Sequence, residues 1–318
     1  MRPVPSPPSR DHARRRDLAR FVAVSAAVGL AYARWEAQSY RLRRFDVPAL
    51  PEDADPLRVL HLSDLHLTPG QRGKREWVRR LAALEPDLVV DTGDNIAHPE
   101  AVPPLMEALE PLLGVPGVFV LGSNDYYAPR VKNPAAYLAG PSKVVGRLRH
   151  LPTGDMVRAM TEAGWVDVDN ARATLEVRGL RVDVVGVDDP HLRRDRYLDV
   201  AGPADPQAHL TLGVTHAPYR RVLDAMTSDG VDLVLAGHTH GGQLAVPGYG
   251  ALVTNCDLPT RYAKGLHEWR TRRHRSWLHV SAGLGTSPYA PVRFACPPEA
   301  TLLTLLPRTG FVAGRRVG

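Results

Sequence analysis

The sequence predicts an α/β domain with its functional residues at one edge of a largely parallel sheet. Between residues 57 and 125, apolar strand-like runs alternate with amphipathic helical segments, which is the pattern of β-α-β units. Each apolar run ends in acidic, amide or histidine residues. Because doubly wound folds bind ligands at the carboxyl ends of their strands, these residues are the candidates for a functional site.

The composition narrows the class of protein. The chain has 318 residues, of which 44% are apolar and 23% charged, enough for one large core. Its net charge of +6 comes from arginines spread along the chain, which suits anionic ligands or an anionic membrane surface. The sequence shows no RNA-binding aromatic motif, zinc-finger spacing or helix-turn-helix pattern, so we expect no specific nucleic-acid partner. Cys256 and Cys296 are too few for a disulfide framework.

Residues 1–46 form a basic N-terminus that contains an apolar run at positions 21–33. At about 1.5 Å per residue this run covers about 20 Å, less than the roughly 30 Å of a bilayer core. Three interpretations stay open: a cleaved secretory signal, an uncleaved or interfacial anchor, and a helix packed on the domain. The basic flank favours membrane association or export, with the extracytoplasmic face preferred and a cytoplasmic location still open.

A linker at residues 47–56 precedes the predicted catalytic domain at 57–310, and residues 311–318 form a tail. Strands are predicted at 57–63, 87–92, 117–121, 209–215 and 231–236, with two more between 174 and 187. Helices are predicted at 74–84, 103–113, 155–163 and 219–226. Three later runs, at 243–246, 277–280 and 301–306, are interpreted as strands of a second sheet.

An irregular insert at residues 126–154 interrupts this alternation. It carries aromatic residues, prolines and cations, among them Arg130 and Lys132. Long loops inside compact domains are usually functional or disordered, and we interpret this one as a lid over a substrate groove. Arg130 and Lys132 are then candidates for binding a substrate phosphate.

The most informative stretch is Gly237-His238-Thr239-His240-Gly241-Gly242, which directly follows an apolar run. Two histidines one residue apart, at the carboxyl end of a strand, can point two imidazoles into one cleft. The residues at the other strand ends supply the further ligands that such a pair needs to bind a metal ion. In chain order, the candidate metal ligands are Asp64, His66, Asp94, Asn124, His216, His238 and His240.

This mixture of ligands indicates the kind of metal. Carboxylate and imidazole together favour manganese, iron or zinc over magnesium and calcium, which prefer oxygen ligands. Seven ligands are too many for one ion, so two divalent ions are implied and one carboxylate must bridge them. His61 lies within the first predicted strand and is interpreted as a hydrogen-bonded core residue.

The same motifs resemble those of the calcineurin-like metallophosphoesterases. The resemblance rests on five motifs in order: Asp64-x-His66, Gly93-Asp94, Gly122-Ser123-Asn124-Asp125, His216 and Gly237-His238-Thr239-His240. The segments at 237–243 and 291–294 are similar to the bacterial YkuE/YaeI-like branch, whose members are small membrane-associated or exported phosphoesterases. The motifs lie in the predicted domain at 57–310.

The resemblance implies a four-layer α/β/β/α sandwich and hydrolysis of phosphate mono- or diesters. Asp64, His66 and His240 would hold one ion, Asn124, His216 and His238 the other, and Asp94 would bridge them. Two ions about 3.5 to 4 Å apart clamp a phosphoryl group, and a bridging water becomes the hydroxide nucleophile near neutral pH. A lipid- or wall-linked phosphate is one expected substrate class.

The third motif departs from the family pattern Gly-Asn-His-Asp/Glu, because Gly122-Ser123-Asn124-Asp125 has no histidine. An ungapped match places Ser123 at the position of the amide ligand and Asn124 at that of the histidine. A one-residue shift instead places Asn124 on the metal and Asp125 at the histidine's position. We prefer the shift because an amide oxygen is a better neutral ligand than a hydroxyl. The expected catalytic residues are then Asp94, Asn124, Asp125 and His216.

Loss of that histidine has a kinetic consequence. General acid catalysis typically contributes about 10² to 10⁴ in rate, so we expect slow turnover of esters with poor leaving groups. The altered motif also keeps an alternative open, a metal-binding interaction module with the same fold and little catalysis. A nuclease of the same fold is a third interpretation, although the sequence shows no additional DNA-binding segment.

Overall fold

The computed structural model describes residues 10–131 and 148–308. Its first sheet has six strands. In spatial order these are β1 (Arg41–Leu50), β14 (Glu299–Pro307), β2 (Leu57–Leu62), β3 (Leu88–Asp91), β4 (Gly117–Phe119) and β5 (Val166–Asp167). Strands β2 to β5 run parallel, whereas β14 is antiparallel to β2.

The second sheet also has six strands. In spatial order these are β12 (Gly265–Arg270), β13 (Arg275–Val280), β9 (Leu233–Ala236), β8 (Leu210–Thr215), β7 (Leu180–Val187) and β6 (Arg172–Val177). The four central strands are parallel, and β12 and β6 close the edges as antiparallel strands. A small hairpin joins β10 (Ala245–Val246) to β11 (Gly250–Ala251).

The described residues form six α-helices, four of which pack on the outer faces of the two sheets. They are α1 (Arg10–Glu36), α2 (Arg72–Arg79), α3 (Val102–Leu109), α4 (Ser123–Tyr126), α5 (Thr153–Glu162) and α6 (Arg220–Ser228). Val78, Leu105 and Met156, on α2, α3 and α5, share one core with the first sheet. Leu223 and Met226 of α6 share another with the second sheet. The order helix, sheet, sheet, helix confirms the predicted four-layer α/β/β/α fold.

A third core lies between the sheets and follows the two-residue period of a strand. In β2, Leu57 and Val59 belong to the core between the sheets, whereas Leu60 and Leu62 belong to the core under the helices. Burial on both faces explains why the central strands are continuously apolar. His61 is fully buried between the sheets, with Nδ1 2.8 Å from His279 Nδ1 and Nε2 3.0 Å from Thr92 Oγ1. The structure therefore confirms that His61 is a hydrogen-bonded core residue.

Two predictions about the strands need correction. The run at 301–306 belongs to β14, which pairs with β1 and β2 in the first sheet, not in the second. The run at 243–246 contributes β10 to the separate hairpin. Strand β1 was not predicted, and the expected linker at 47–56 begins inside it. The first half of β1, residues 41–46, is rich in charged and exposed side chains, so its sequence lacks the apolar pattern of a buried strand.

The apolar run at 21–33 lies inside α1, whose last turns contact the domain. Ala33 and Glu36 are buried there, and the Arg293 backbone N–H donates to the Ala33 carbonyl at 2.9 Å. The large apolar side chains of α1, from Leu18 to Trp35, are exposed. Within the described ranges, no helix combines the length and apolar content needed to cross a membrane.

Candidate metal centre

The carboxyl ends of strands from both sheets meet at one edge of the sandwich. Asp64 and His66 follow β2, and Asp94 follows β3. From the second sheet, His216 follows β8, and both histidines of the 237–242 stretch follow β9. The structure brings these six predicted residues together, and all except the partly exposed His240 are buried.

Three of the residues form a first group with the spacing of metal ligands. The Nε2 atoms of His66 and His240 lie 3.3 Å apart, and Asp64 Oδ1 lies 3.9 Å and 3.6 Å from them. Ligand atoms bound about 2.0–2.1 Å from one tetrahedral ion would be separated by about 3.3 Å. Asp64 Oδ1 is buried without a hydrogen-bond partner among the described residues. A cation would satisfy this oxygen.

A second group lies on the other side of Asp94. His216 Nε2 is 3.3 Å from His238 Nδ1 and 3.5 Å from Asp94 Oδ1. The other oxygen of Asp94, Oδ2, is 3.4 Å from His66 Nε2. The two oxygens of one carboxylate therefore face different imidazoles, which is the arrangement required of a bridging ligand.

Hydrogen bonds behind the histidines orient their rings. His216 Nδ1 lies 2.7 Å from the Thr92 carbonyl, and His238 Nε2 lies 3.1 Å from the Asn255 carbonyl. Each carbonyl accepts a ring N–H, so the opposite nitrogen faces the site and can bind a metal ion once it has no proton. Asp64 is held through its second oxygen, Oδ2, which accepts from Ser63 Oγ at 2.6 Å and the His238 N–H at 3.0 Å.

The backbone at the site is strained in a way that the sequence does not reveal. Asp64, His66, Asp94, His238 and His240 all have positive φ, between 44° and 68°. Such conformations are uncommon for residues other than glycine and cost on the order of 1–3 kcal/mol each. Five of the twelve non-glycine residues with positive φ in the described ranges are predicted metal ligands, which is the pattern expected where a site holds its ligands in fixed positions.

Burial and proximity shift the acidities of these groups. Burial raises the pKa of Asp64 to about 6 and lowers that of His66 to about 4. Burial alone would also lower the pKa of His216, but Asp94 and Asp64 outweigh it and raise the pKa to about 9. The carboxylates thus favour positive charge at the centre, which a divalent ion would supply in place of the proton.

The third motif is arranged differently from our preferred alignment. Asp125 is fully buried and turned toward the backbone, where its two oxygens accept four N–H groups, those of Asp94, Asn95, Ile96 and Gly122. The shifted register required Asp125 to occupy the histidine's position in the site. Its carboxylate instead accepts hydrogen bonds from the loop backbone, an arrangement that does not fit the position expected of it in the shifted register.

Asn124 lies against the bridging carboxylate. Its backbone N–H donates to Asp94 Oδ1 and its side-chain Nδ2 donates to Asp94 Oδ2, both at 2.7 Å. With Asp125 in a structural role, the ungapped register is favoured. Asn124 then takes the histidine's position and Ser123 that of the amide ligand. Gly122 permits this close approach, since a Cβ there would lie 2.3 Å from Asp94 Oδ1.

The two candidate phosphate-binding residues, Arg130 and Lys132, and the further cation Arg293 differ in their surroundings. Arg130 lies in the insert, partly buried and with an interaction partner, and Lys132 lies outside the described residues. Arg293 is fully buried, and its Nη2 donates to the carbonyls of Ala282, Gly283 and Gly285. Arg293 therefore organises the loop behind His240 and is not available to a substrate.

Sequence reasoning missed one residue beside the site. The His191 ring centroid lies 4.6 Å from that of His238, and its Nδ1 lies 3.2 Å from the Tyr219 hydroxyl. It follows Asp188-Asp189-Pro190 at the carboxyl end of β7. The signal that could have found it is β7 itself, because a strand parallel to β8 ends at the same edge of the sheet.

Comparison with known proteins supports the interpretation of this centre. A family model for calcineurin-like phosphoesterases matches residues 57–242, more than half of the chain. The chain is 26% identical to the uncharacterized metallophosphoesterase YkuE of Bacillus subtilis (strain 168), covering 89% of this chain and 92% of that protein. It is 29% identical to an uncharacterized metallophosphoesterase of Aquifex aeolicus (strain VF5), covering 86% and 95%. It is 24% identical to phosphodiesterase YaeI of Escherichia coli (strain K12), covering 90% and 98%. The chain therefore belongs to the calcineurin-like phosphoesterase family and is a metal-dependent phosphoester hydrolase.

Proposed function

We propose that this hydrolase uses two divalent ions to cleave phosphate mono- or diesters. Asp64, His66 and His240 would hold one ion, and His216, His238 and the third motif the other. The observation that carries the proposal is the placement of Asp94, whose two oxygens lie 3.4 Å from His66 Nε2 and 3.5 Å from His216 Nε2. Imidazole and carboxylate ligands suit manganese, iron or zinc.

The bound ions would polarise the ester and lower the pKa of a water molecule to near neutrality, so that it can attack in line. The protein contributes the positions of the ligands. Asn124 holds both oxygens of Asp94 through its two N–H groups, which fixes the carboxylate between the two histidine groups. The histidines and Asn124 are neutral as ligands or donors, so the site keeps few negative charges and admits an anionic ester.

We further propose that the natural ester is lipid- or wall-linked. The exposed apolar side chains of α1 support this class of substrate, because the end of α1 is hydrogen-bonded to the backbone of Arg293, whose side chain contacts His240.

Hydrolysis by the full-length protein tests the proposed reaction. The substrates are p-nitrophenyl phosphate and bis-p-nitrophenyl phosphate, with manganese, iron or zinc added in turn. We expect metal-dependent hydrolysis that is lost in Asp94→Asn and His238→Ala and retained in His274→Ala, which changes an exposed histidine. The ester cleaved faster would distinguish a monoesterase from a diesterase. Metal binding without turnover of either ester would contradict the proposal and favour the interaction module.

A further inference from the structure

Helix α1 presents an unusual surface for a water-exposed helix. Its described large apolar side chains are mostly exposed, with relative exposures between 42% and 71%. They are Leu18, Phe21, Val22, Val24, Val28, Leu30, Tyr32 and Trp35. A helix that is apolar on most of its sides is normally buried in a core or a membrane. Exposed apolar surface of this extent indicates a partner.

The apolar surface continues from α1 onto loops of the catalytic domain. The Tyr32 and Phe294 rings pack edge to face with centroids 5.5 Å apart, and a shallow groove between Val24, Val28 and Phe294 joins the helix to the loop. Leu244 and Phe294 form an isolated β-bridge, and both are exposed. We call α1 together with residues 244–252 and 288–294 the apolar face.

The apolar face is connected to the metal centre by a short series of hydrogen bonds. The Arg293 N–H donates to the Ala33 carbonyl at the end of α1, at 2.9 Å. The Phe294 N–H donates to the Gln243 carbonyl at 3.0 Å, and Gln243 lies three residues after His240. Gln243 Nε2 also donates to the carbonyls of Ala290 and Val292. The face therefore adjoins the loop that carries a predicted metal ligand.

The charges beside the apolar face are mainly positive. On α1, Arg14, Arg16, Arg20 and Arg34 are exposed, and Asp17 is the one exposed acid among its described side chains. Apolar side chains next to arginines are the features that bind a helix to the interface of an anionic bilayer. The exposed arginines are complementary to the negative surface of such a bilayer.

We propose that the apolar face docks on an anionic lipid bilayer and directs the metal centre toward phosphoesters anchored in that bilayer. The substrate part of this inference rests on the proposed phosphoesterase function, whereas docking does not. The substrate class is an ester with a polar phosphoryl group at the interface and an apolar tail in the membrane.

Vesicle binding tests the docking step. Full-length protein is sedimented with vesicles of phosphatidylcholine alone or mixed with phosphatidylglycerol. The triple variant Phe21→Asp, Val24→Asp, Val28→Asp removes apolar contacts of α1. Leu198→Asp is the matched control because Leu198 is an exposed apolar residue outside the face. We expect wild type and control to bind anionic vesicles at least tenfold more tightly than the triple variant, and to bind neutral vesicles weakly.

Equal vesicle binding by wild type and the triple variant would overturn the docking proposal. The docking proposal would also be overturned if the wild type failed to bind vesicles and sedimentation velocity showed a dimer that the triple variant abolishes. The face would then join two copies of the chain. Circular dichroism and unfolding midpoints of the variants establish that the fold is retained. Phe294→Asp, on the domain side of the face, should weaken vesicle binding on its own.

A pair of substrates tests the link to catalysis. p-Nitrophenyl methyl phosphate is soluble, whereas p-nitrophenyl hexadecyl phosphate inserts into vesicles, and the scissile bond is the same. We expect the triple variant to retain wild-type activity on the methyl ester and to lose at least tenfold on the vesicle-bound ester. Equal loss on both esters would overturn the substrate class. Absence of wild-type hydrolysis of both would overturn the phosphoesterase proposal, and vesicle sedimentation would still decide docking.

Discussion

Replacing Asp125 by asparagine tests whether this residue is structural. Oδ1 accepts from the N–H groups of Asn95 and Ile96, and Oδ2 from those of Asp94 and Gly122. An amide keeps only one of these oxygens and turns an NH₂ group toward the two remaining N–H donors. Each buried donor left without an acceptor costs about 1–3 kcal/mol, so Asp125→Asn should lower the free energy of unfolding by about 2–6 kcal/mol.

Urea unfolding followed by circular dichroism measures this change. Asp53→Asn is the control, because it alters an exposed carboxylate, and it should change the unfolding free energy by less than about 0.5 kcal/mol. A loss below about 1 kcal/mol in Asp125→Asn would show that the four hydrogen bonds do not carry the proposed structural role. The catalytic interpretation of Asp125 would then have to be reconsidered.

Three further predictions follow from the site and the core. Asn124→His should raise the rate of alkyl ester hydrolysis about tenfold or more relative to aryl esters, because it restores an imidazole at the position of the family's histidine. An unchanged ratio of alkyl to aryl rates would refute this assignment. Burial lowers the pKa of Lys74 to about 7 from 10.5, so the unfolded chain binds more protons between these values. The contribution of Lys74 to the free energy of unfolding should therefore increase as the pH rises from 7 to 9, and Lys74→Met should remove this increase. If urea titrations gave the same pH dependence of the unfolding free energy for wild type and Lys74→Met, the prediction would be contradicted. Because the pKa of His216 is raised to about 9, metal binding at pH 8 should release at least about one proton, measured by calorimetry in buffers of different ionisation enthalpy. Heats independent of the buffer would rule it out.

Much of the fold could be predicted from the sequence because the central strands are buried on both faces. Their apolar runs and the polar residues that follow them located the carboxyl edge of each sheet. Strand β1 escaped prediction because its exposed half is rich in arginine, and β14 was assigned to the wrong sheet. Local periodicity identifies a strand, but pairing between distant segments determines the sheet that it joins.

The candidate site could likewise be predicted from the sequence only in part. Six of the seven predicted metal ligands converge, and the seventh, Asn124, contacts Asp94. Each of them follows a strand whose direction the pattern already specified. The role of Asp125 could not be predicted, since a carboxylate that accepts backbone N–H groups has no local sequence signal that separates it from a catalytic one. His191 was missed because only the parallel pairing of β7 with β8 brings it to His238.

Metal stoichiometry tests the central claim most directly. The full-length protein and Asp94→Asn would be loaded with manganese or zinc, freed of excess metal, and analysed by plasma mass spectrometry alongside hydrolysis of bis-p-nitrophenyl phosphate. We predict two ions per wild-type chain, with activity that requires both, and loss of at least one ion in Asp94→Asn. One ion per active wild-type chain, or two ions retained in Asp94→Asn, would contradict a site bridged by Asp94.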